Sequence, residues 1–160
     1  MIEHDRSELR ELVARLAADP QQWRSLVRHD SGARHFEQLW RDDQHDVWVI
    51  SWGNGNDTGF HDHDVSSGAV AVVEGELIEE RLVLGGPPLR IRHRAGEVFD
   101  FDSAHVHRMR QDCDTPAVSI HVYSPPLWRM GSYAVNPADG TLRRRSISYA
   151  EELRPAETAG

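Results

Sequence analysis

Cysteine is nearly absent from the sequence, since Cys113 is the single one among 160 residues. A disulfide framework within the chain is therefore excluded, and the cysteine content gives no sign of an oxidising compartment. Apolar runs of the roughly 18 residues that a membrane span requires are also missing. The N-terminus, MIEHDRSELR, is polar and acidic where a signal peptide would be basic and then apolar. We expect a cytoplasmic protein.

Positively charged residues are also fewer than negatively charged ones. Lys and Arg number 18 against 26 for Asp and Glu, which gives a formal net charge of -8. This balance argues against nucleic acid or an anionic membrane as a partner and leaves small ligands open. Charged residues at 28% and hydrophobic residues at 39% are typical of a soluble globular chain. We expect one domain, as a monomer or a small homo-oligomer.

The first part of the chain predicts two short helices. Apolar residues recur at helical spacing between Ser7 and Ala18. Asp19 can cap, and Pro20 can begin, a second short helix that runs through Trp23 and Val27, because the N–H that proline lacks would have no hydrogen-bond partner in the first helical turn.

After about residue 40 the sequence consists of short β-rich segments separated by turn residues. Eight strands are predicted, at Val47–Trp52, Gly68–Glu74, Glu76–Leu84, Leu89–His93, Glu97–Phe101, Ala117–Tyr123, Tyr133–Asn136 and Leu142–Ile147. The class is therefore mostly β, a sandwich or barrel with a helical side-piece.

A pair of histidines, His61 and His63, lies in the segment GNDTGFHDHDVSSGAVAVVEG between Gly55 and Gly75. In a strand, side chains at i and i+2 point to the same face, so both imidazoles could bind one metal ion. Two ligands make a loose site, so a third is expected from a neighbouring strand. The candidates are His93, His105, His107 and His121.

A second polar row, Ser119, His121 and Tyr123, would likewise share one face of a strand. These side chains could form a hydrogen-bonded row directed into the barrel. A hydrolase triad is disfavoured, because the row contains no carboxylate and Ser119 is not part of a nucleophile elbow.

The first histidine segment resembles the first motif of the cupins, which is Gly, five residues, His-x-His, three or four residues, Glu, six residues, Gly. Gly55, His61, His63 and Gly75 match this spacing, and Gly68 stands where the Glu would be. The second cupin motif is matched in spacing by Gly96, Asp102, Ala104, His107 and Gln111. The resemblance thus selects His107 as the third ligand, with His105 as the alternative.

A cupin with three histidines and no carboxylate resembles the thiol dioxygenase branch, the cysteine dioxygenase type I family. That branch carries Ser-x-His-x-Tyr followed by Ser-Pro-Pro, and this chain reads SIHVYSPP from Ser119. The resemblance implies a jelly-roll-like cupin barrel that binds Fe(II) and oxidises a small thiol, L-cysteine or 3-mercaptopropionate, with O2 to a sulfinate. It implies catalytic roles for Tyr123, His121 and Ser119. The expected layout is a single domain over 1–160, with helices in 5–30, the barrel in 34–147 and a mobile tail in 151–160.

Two details of the resemblance concern the substrate pocket. Some family members link a cysteine to the tyrosine of the polar row, but Gly68 occupies that position here, so no thioether can form. In cysteine-selective members an arginine before the first barrel strand binds the substrate carboxylate. Arg34 is the predicted anchor and Arg41 the alternative. Other functional classes that remain open are a metal-dependent isomerase, a dioxygenase for a carbon substrate, and a cupin that only binds a ligand.

Overall fold

The N-terminal helices pack on the outside of the barrel. The computed structural model describes residues 5–30 and 32–148, so the predicted tail, 151–160, lies outside the described residues. Helix α1 covers Arg6–Ala17, and α2 covers Pro20–Trp23 with a 3-10 turn after it at Arg24–Leu26. Both predicted helices are present, but the prediction that the second runs through Val27 is wrong, because the backbone at Val27 is already extended. Within the described residues, no helix has the length and apolar character needed to cross a membrane.

The helix starts differ in how they are capped. The carboxylate of Asp5 accepts a hydrogen bond from the Ser7 N–H at 3.0 Å, which satisfies one of the amides left over in the first turn of α1. Asp19 was predicted to cap α2 in the same way, but its side chain makes no such bond. Its carboxylate accepts instead from the side chain of Gln22 at 2.9 Å.

The described residues form eleven strands. Their bounds are β1 His35–Arg41, β2 Asp46–Trp52, β3 His61–Asp62, β4 Ser67–Glu74, β5 Glu76–Arg81, β6 Leu89–Arg94, β7 Val98–Phe101, β8 His107–Arg110, β9 Ala117–Ser124, β10 Arg129–Val135 and β11 Leu142–Ser148. One sheet has the order β1-β2-β9-β4-β7 and the other β11-β10-β3-β8-β5-β6. All described pairings are antiparallel.

The eight predicted strands correspond to β2, β4 to β7 and β9 to β11, so the mostly-β class with two short helices is confirmed. Three strands, β1, β3 and β8, were missed. Strand β3 is only two residues long, and β8 reads HRMR, so neither has the run of β-branched or aromatic residues that identifies a strand in sequence. The end of β5 at Arg81 also corrects the prediction that this strand continues to Leu84.

The five-stranded sheet is buried on both faces, which creates two apolar clusters. In β2, Val47 and Val49 face the helices, while Trp48, Ile50 and Trp52 face the barrel interior. The same alternation in β9 places its valines and Ile120 under α1 and leaves the opposite face for polar residues. The helices therefore cover the outer face of the sheet that carries the polar row.

Helix α1 is expected to contribute strongly to stability through Leu9, which has no exposed surface. Leu9→Ala should lower the free energy of unfolding by about 2 to 5 kcal/mol, because it deletes buried atoms and leaves a cavity over the sheet. Urea denaturation followed by tryptophan fluorescence measures the change. Glu11→Ala, on the exposed face of the same helix, is the control and should change stability by less than about 0.5 kcal/mol. Equal effects of the two substitutions would show that α1 is not packed as described.

Candidate active site

Three histidines meet inside the barrel. His61 lies in β3 directly opposite His107 of β8, and His63 follows β3 by one residue. Their ring centroids are 4.7 to 5.2 Å apart, and each ring offers a nitrogen within 4.8 Å of the others. All three side chains are buried. The His-x-His pair and His107, which is distant from it in sequence, thus come together at one point.

The three imidazoles are neutral. Burial, followed by the charge of neighbouring histidines, holds the pKa of His61 and of His63 well below the usual value. Burial also lowers the pKa of His107, although its hydrogen bond to Glu79 acts in the opposite direction. Neutral imidazole is the form that binds metals, so these rings are in the protonation state of a ligand set.

The hydrogen bonds of the rings show which nitrogens are left for a ligand. His61 donates from Nδ1 to the Gly59 carbonyl at 3.0 Å, and His107 donates from Nδ1 to the Glu79 carboxylate at 2.7 Å. A neutral ring has one N–H, so Nε2 of each carries a lone pair. The buried Nδ1 of His63 has no hydrogen-bond partner within residues 5–30 and 32–148. Two fixed tautomers and one unsatisfied buried ring fit the requirements of a bound metal ion.

The polar row on β9 forms a continuous hydrogen-bonded chain. Trp52 donates from Nε1 to the Ser119 hydroxyl at 2.8 Å, Ser119 lies 2.7 Å from His121 Nε2, and His121 Nδ1 lies 3.1 Å from the Tyr123 hydroxyl. Ser119 is fully buried, and His121 Nε2 is the acceptor within reach of its hydrogen. Each donor is then satisfied when Ser119 donates to His121 and His121 donates to Tyr123. In this arrangement the Tyr123 hydroxyl oxygen accepts from His121.

His121 is the neutral relay in this row. Burial, with smaller contributions from the charges of His107 and Arg34, lowers the pKa of His121 to about 3. The ring therefore stays uncharged across the physiological range, as the donor order of the row requires.

A small cavity connects the histidine cluster to the polar row. Its volume is about 20 Å³, which is close to the space of a single ordered water, so a larger ligand requires the lining side chains to rearrange. Its lining combines polar side chains with an apolar wall. The residues are Arg34, Phe36, Ile50, Trp52, Thr58, His61, His107, Met109, His121, Tyr123 and Met130.

The structure separates the two arginines that the sequence left as alternatives. Arg34 lines the cavity, and its guanidinium lies 4.9 Å from the Phe36 ring centroid and 5.3 Å from that of Trp52. Arg41 instead pairs with Asp46 at 2.7 Å and donates to the Leu127 carbonyl at 3.2 Å. The side chain of Asp46 has no exposed surface, so Arg41 neutralises a buried carboxylate. The geometry thus puts Arg34 beside the histidines and Arg41 in a structural ion pair.

Gly68 of β4 lies directly opposite Tyr123 of β9. A Cβ atom at this position would come within 2.7 Å of Cε2 of Phe101, nearer than any real contact allows. The Phe101 ring also stacks on His63 with centroids 4.6 Å apart. Phe101 therefore fills the space beside the tyrosine and supports the second histidine.

Sequence reasoning missed the carboxylate of Glu79. It is fully buried in β5 and accepts hydrogen bonds from His93, His105 and His107. One signal was present, since Glu79 shares its strand face with the core residue Leu77 two positions earlier. An acid on an inward face requires buried donors, and the nearby histidines could have supplied them.

Comparison with known proteins agrees with this architecture. A Klebsiella pneumoniae protein with a double-stranded β-helix domain superposes with a TM-score of 0.55 at 16% identity, over 76% of this chain and 91% of that one. The cupin domain of Schizosaccharomyces pombe Cnp3 gives a TM-score of 0.51 at 9% identity, over 57% of this chain and 60% of that one. The fold is therefore that of a cupin, as predicted.

Sequence comparison defines the family within that class. Residues 2–135 match the model of the family described as cysteine dioxygenase type I. Cysteine dioxygenase type 1 of Danio rerio is 28% identical over 131 residues, 74% of this chain and 65% of that protein. The Homo sapiens protein is 25% identical over 130 residues, 74% of this chain and 64% of that protein. This chain belongs to the cysteine dioxygenase type I family, and it spans about 65% of the length of these two relatives.

The neutral state of His121 predicts how stability depends on pH. The folded pKa of about 3 lies below the unfolded value of about 6.5, so between these values the unfolded chain binds the proton. The contribution of neutral His121 to the free energy of unfolding is complete above pH 6.5 and is lost as the pH falls. From pH 7.5 to 5.5 this histidine should lower the free energy of unfolding by about 1.4 kcal/mol.

Urea denaturation of chelator-treated protein at the two pH values measures this change. His121→Gln should reduce the difference between the two pH values by about 1.4 kcal/mol relative to the parent. His29→Gln, which replaces an exposed histidine, is the matched control. An equal pH dependence in the parent and in His121→Gln would contradict a buried neutral His121.

Proposed function

We propose that this chain is a non-haem iron thiol dioxygenase that oxidises a small thiol with O2 to its sulfinate. The observation that carries the proposal is one small cavity lined by two of the three clustered histidines, by the tyrosine that ends a buried hydrogen-bonded row, and by Arg34. Membership of the cysteine dioxygenase type I family supports the same chemistry.

His61, His63 and His107 are the residues that would hold the metal. Fe(II) held by three neutral imidazoles would supply a cationic centre that favours a thiolate and can take part in O2 chemistry. The absence of a carboxylate from this set favours an anionic sulfur ligand, since the protein contributes no negative charge to offset it. Imidazole also binds other transition metals, so the choice of iron rests on the family.

The overall reaction balances without a further reductant. A thiol, R–SH, and O2 together contain every atom of the sulfinic acid R–SO2H. Both oxygen atoms end on sulfur, which is oxidised as O2 is reduced, and this places the product partway up the thiol oxidation series.

Tyr123 would orient and stabilise the reacting group. Because His121 donates to the tyrosine oxygen, the Tyr123 hydroxyl would act on the substrate as a hydrogen-bond donor. Ser119 and Trp52 fix His121 in the tautomer that this requires. A donor held in this way acts without reorganising during the reaction, and such groups typically contribute about 10²-fold or more in rate.

Arg34 would select the substrate by its carboxylate. The Arg34 guanidinium lies over the rings of Phe36 and Trp52, and its planar group can pair with a carboxylate through two hydrogen bonds. The limited volume of the cavity favours a short thiol. L-cysteine and 3-mercaptopropionate are both short thiols that carry a carboxylate.

Oxygen consumption by the iron-loaded protein tests the function. We expect uptake of O2 with L-cysteine or 3-mercaptopropionate, a sulfinate product detected by mass spectrometry, and loss of uptake after chelation that added Fe(II) restores. Cysteamine, which lacks a carboxylate, should react more slowly. No uptake with any thiol would reject the proposal in favour of a carbon-substrate cupin or one that only binds a ligand.

The two arginines give a separate prediction. Arg34→Ala should lower kcat/KM for carboxylated thiols by about 10²-fold and leave cysteamine little changed, because only the carboxylate contact is lost. Arg41→Ala should lower stability, since it leaves Asp46 buried without its cation, but should keep the ratio of kcat/KM for the carboxylated thiol over cysteamine. A collapse of that ratio in Arg41→Ala alone would assign the carboxylate to Arg41.

A further inference from the structure

Glu79 is a buried carboxylate that the proposed reaction does not use. Its side chain has no exposed surface, and its two oxygens accept four hydrogen bonds. Oε1 accepts from His93 Nε2 at 3.0 Å and from Arg81 Nε at 2.8 Å. Oε2 accepts from His105 Nε2 at 3.1 Å and from His107 Nδ1 at 2.7 Å. A buried carboxylate is costly unless it is paired in this way.

The ionised carboxylate fixes where the histidine protons lie. A carboxylate can only accept, so each ring nitrogen that faces Glu79 must carry a hydrogen. His107 Nδ1 lies 2.7 Å from Oε2, so its hydrogen is on Nδ1 and Nε2 is the nitrogen with a lone pair for a metal.

The strand order places His107 between Glu79 and the other two histidines. Strand β8 pairs with β3 on one side and with β5 on the other. His107 is the register partner of His61 across the first pairing and of Arg81 across the second. One edge of the His107 ring thus contacts the Glu79 carboxylate. The centroids of the His107 and His61 rings are 4.7 Å apart.

We propose that Glu79 is a positioning residue for His107: it holds the Nδ1 proton and so directs the Nε2 lone pair to the point shared with His61 and His63. Arg81, His93 and His105 hold the carboxylate in place from its remaining acceptor positions. This inference rests on the proposed role of His107 as a metal ligand. A histidine ligand whose second nitrogen is held by a carboxylate binds metal more tightly and in one orientation.

A competing interpretation makes Glu79 itself a ligand. Glu79, His105 and His107 also offer ligand atoms within 4.8 Å of one another. A metal there would displace the hydrogens that His105 and His107 now donate to the carboxylate. The two interpretations predict different numbers of metal ions per chain, one for positioning and two for a second site.

Metal affinity measured without thiol or oxygen tests the positioning role. In Glu79→Gln one carboxylate oxygen becomes an NH2 group, which opposes the N–H donors on that side. We expect Co(II) to bind this variant about 10- to 100-fold more weakly than the parent in competition with a chromophoric chelator. Glu80→Gln is the matched control, because the neighbouring carboxylate pairs with Arg108 and Arg110 and should leave the affinity unchanged.

The histidine tautomer provides a readout that needs no substitution. Long-range 15N–1H spectra of the metal-free parent should show the His107 proton on Nδ1, and Glu79→Gln should shift the population toward Nε2–H. A proton on Nε2 in the parent, undiminished Co(II) affinity in Glu79→Gln, or two Co(II) ions per parent chain would each overturn the inference. If Glu79→Gln does not fold, the parent's tautomer and stoichiometry decide. Because neither measurement involves turnover, an inactive protein would reject the dioxygenase without deciding the role of Glu79.

Discussion

A polar side chain inside an apolar barrel is costly unless its donors and acceptors are paired, and this constraint shapes much of the interior of the molecule. The row from Trp52 through Ser119 and His121 to Tyr123 meets it with a line of single hydrogen bonds. Glu79 meets it by accepting from four donors at once. In both cases the pairing also fixes the tautomers of the histidines. The hydrogen bonds that pair these buried groups therefore also set the tautomers of the histidines in the site.

The two sheets carry different parts of the candidate site. The five-stranded sheet carries the polar row on β9 and gains its rigidity from apolar burial under α1 on the opposite face. The six-stranded sheet carries His61, His107 and Glu79 on the adjacent strands β3, β8 and β5, so the ladder of backbone hydrogen bonds sets their spacing. Because the cavity lies between the sheets, a change in how they pack would alter the distance from the tyrosine to the histidines.

Much of this site could be predicted from sequence because it depends on short-range periodicity. The alternation of a strand put Ser119, His121 and Tyr123 on one face, and the i, i+2 spacing of His61 and His63 led to the metal-binding hypothesis. The choice of His107 as the third ligand came from the resemblance to the cupin motifs. Long-range pairings could not be obtained in this way. Glu79 is 26 and 28 residues from the histidines that share its Oε2, and no local pattern encodes that contact. The choice between Arg34 and Arg41 stayed open because β1 was not recognised, and without its register neither side chain could be assigned to the cavity.

The short strand β3 illustrates how a residue with no contact to the cavity can still matter for the site. Asp62 separates His61 from His63 and, by strand alternation, points away from the cavity. Its carboxylate accepts from Tyr133 at 2.6 Å, from Arg144 at 2.8 Å and from the Gly131 N–H at 3.0 Å. Burial works against ionisation here, but the hydrogen bonds from Arg144 and Tyr133 hold the pKa of Asp62 below its usual range. Two residues of backbone ladder would hold β3 weakly, so the charge-assisted bonds of Asp62 to the β10–β11 hairpin supply the attachment that keeps both neighbouring histidines in position.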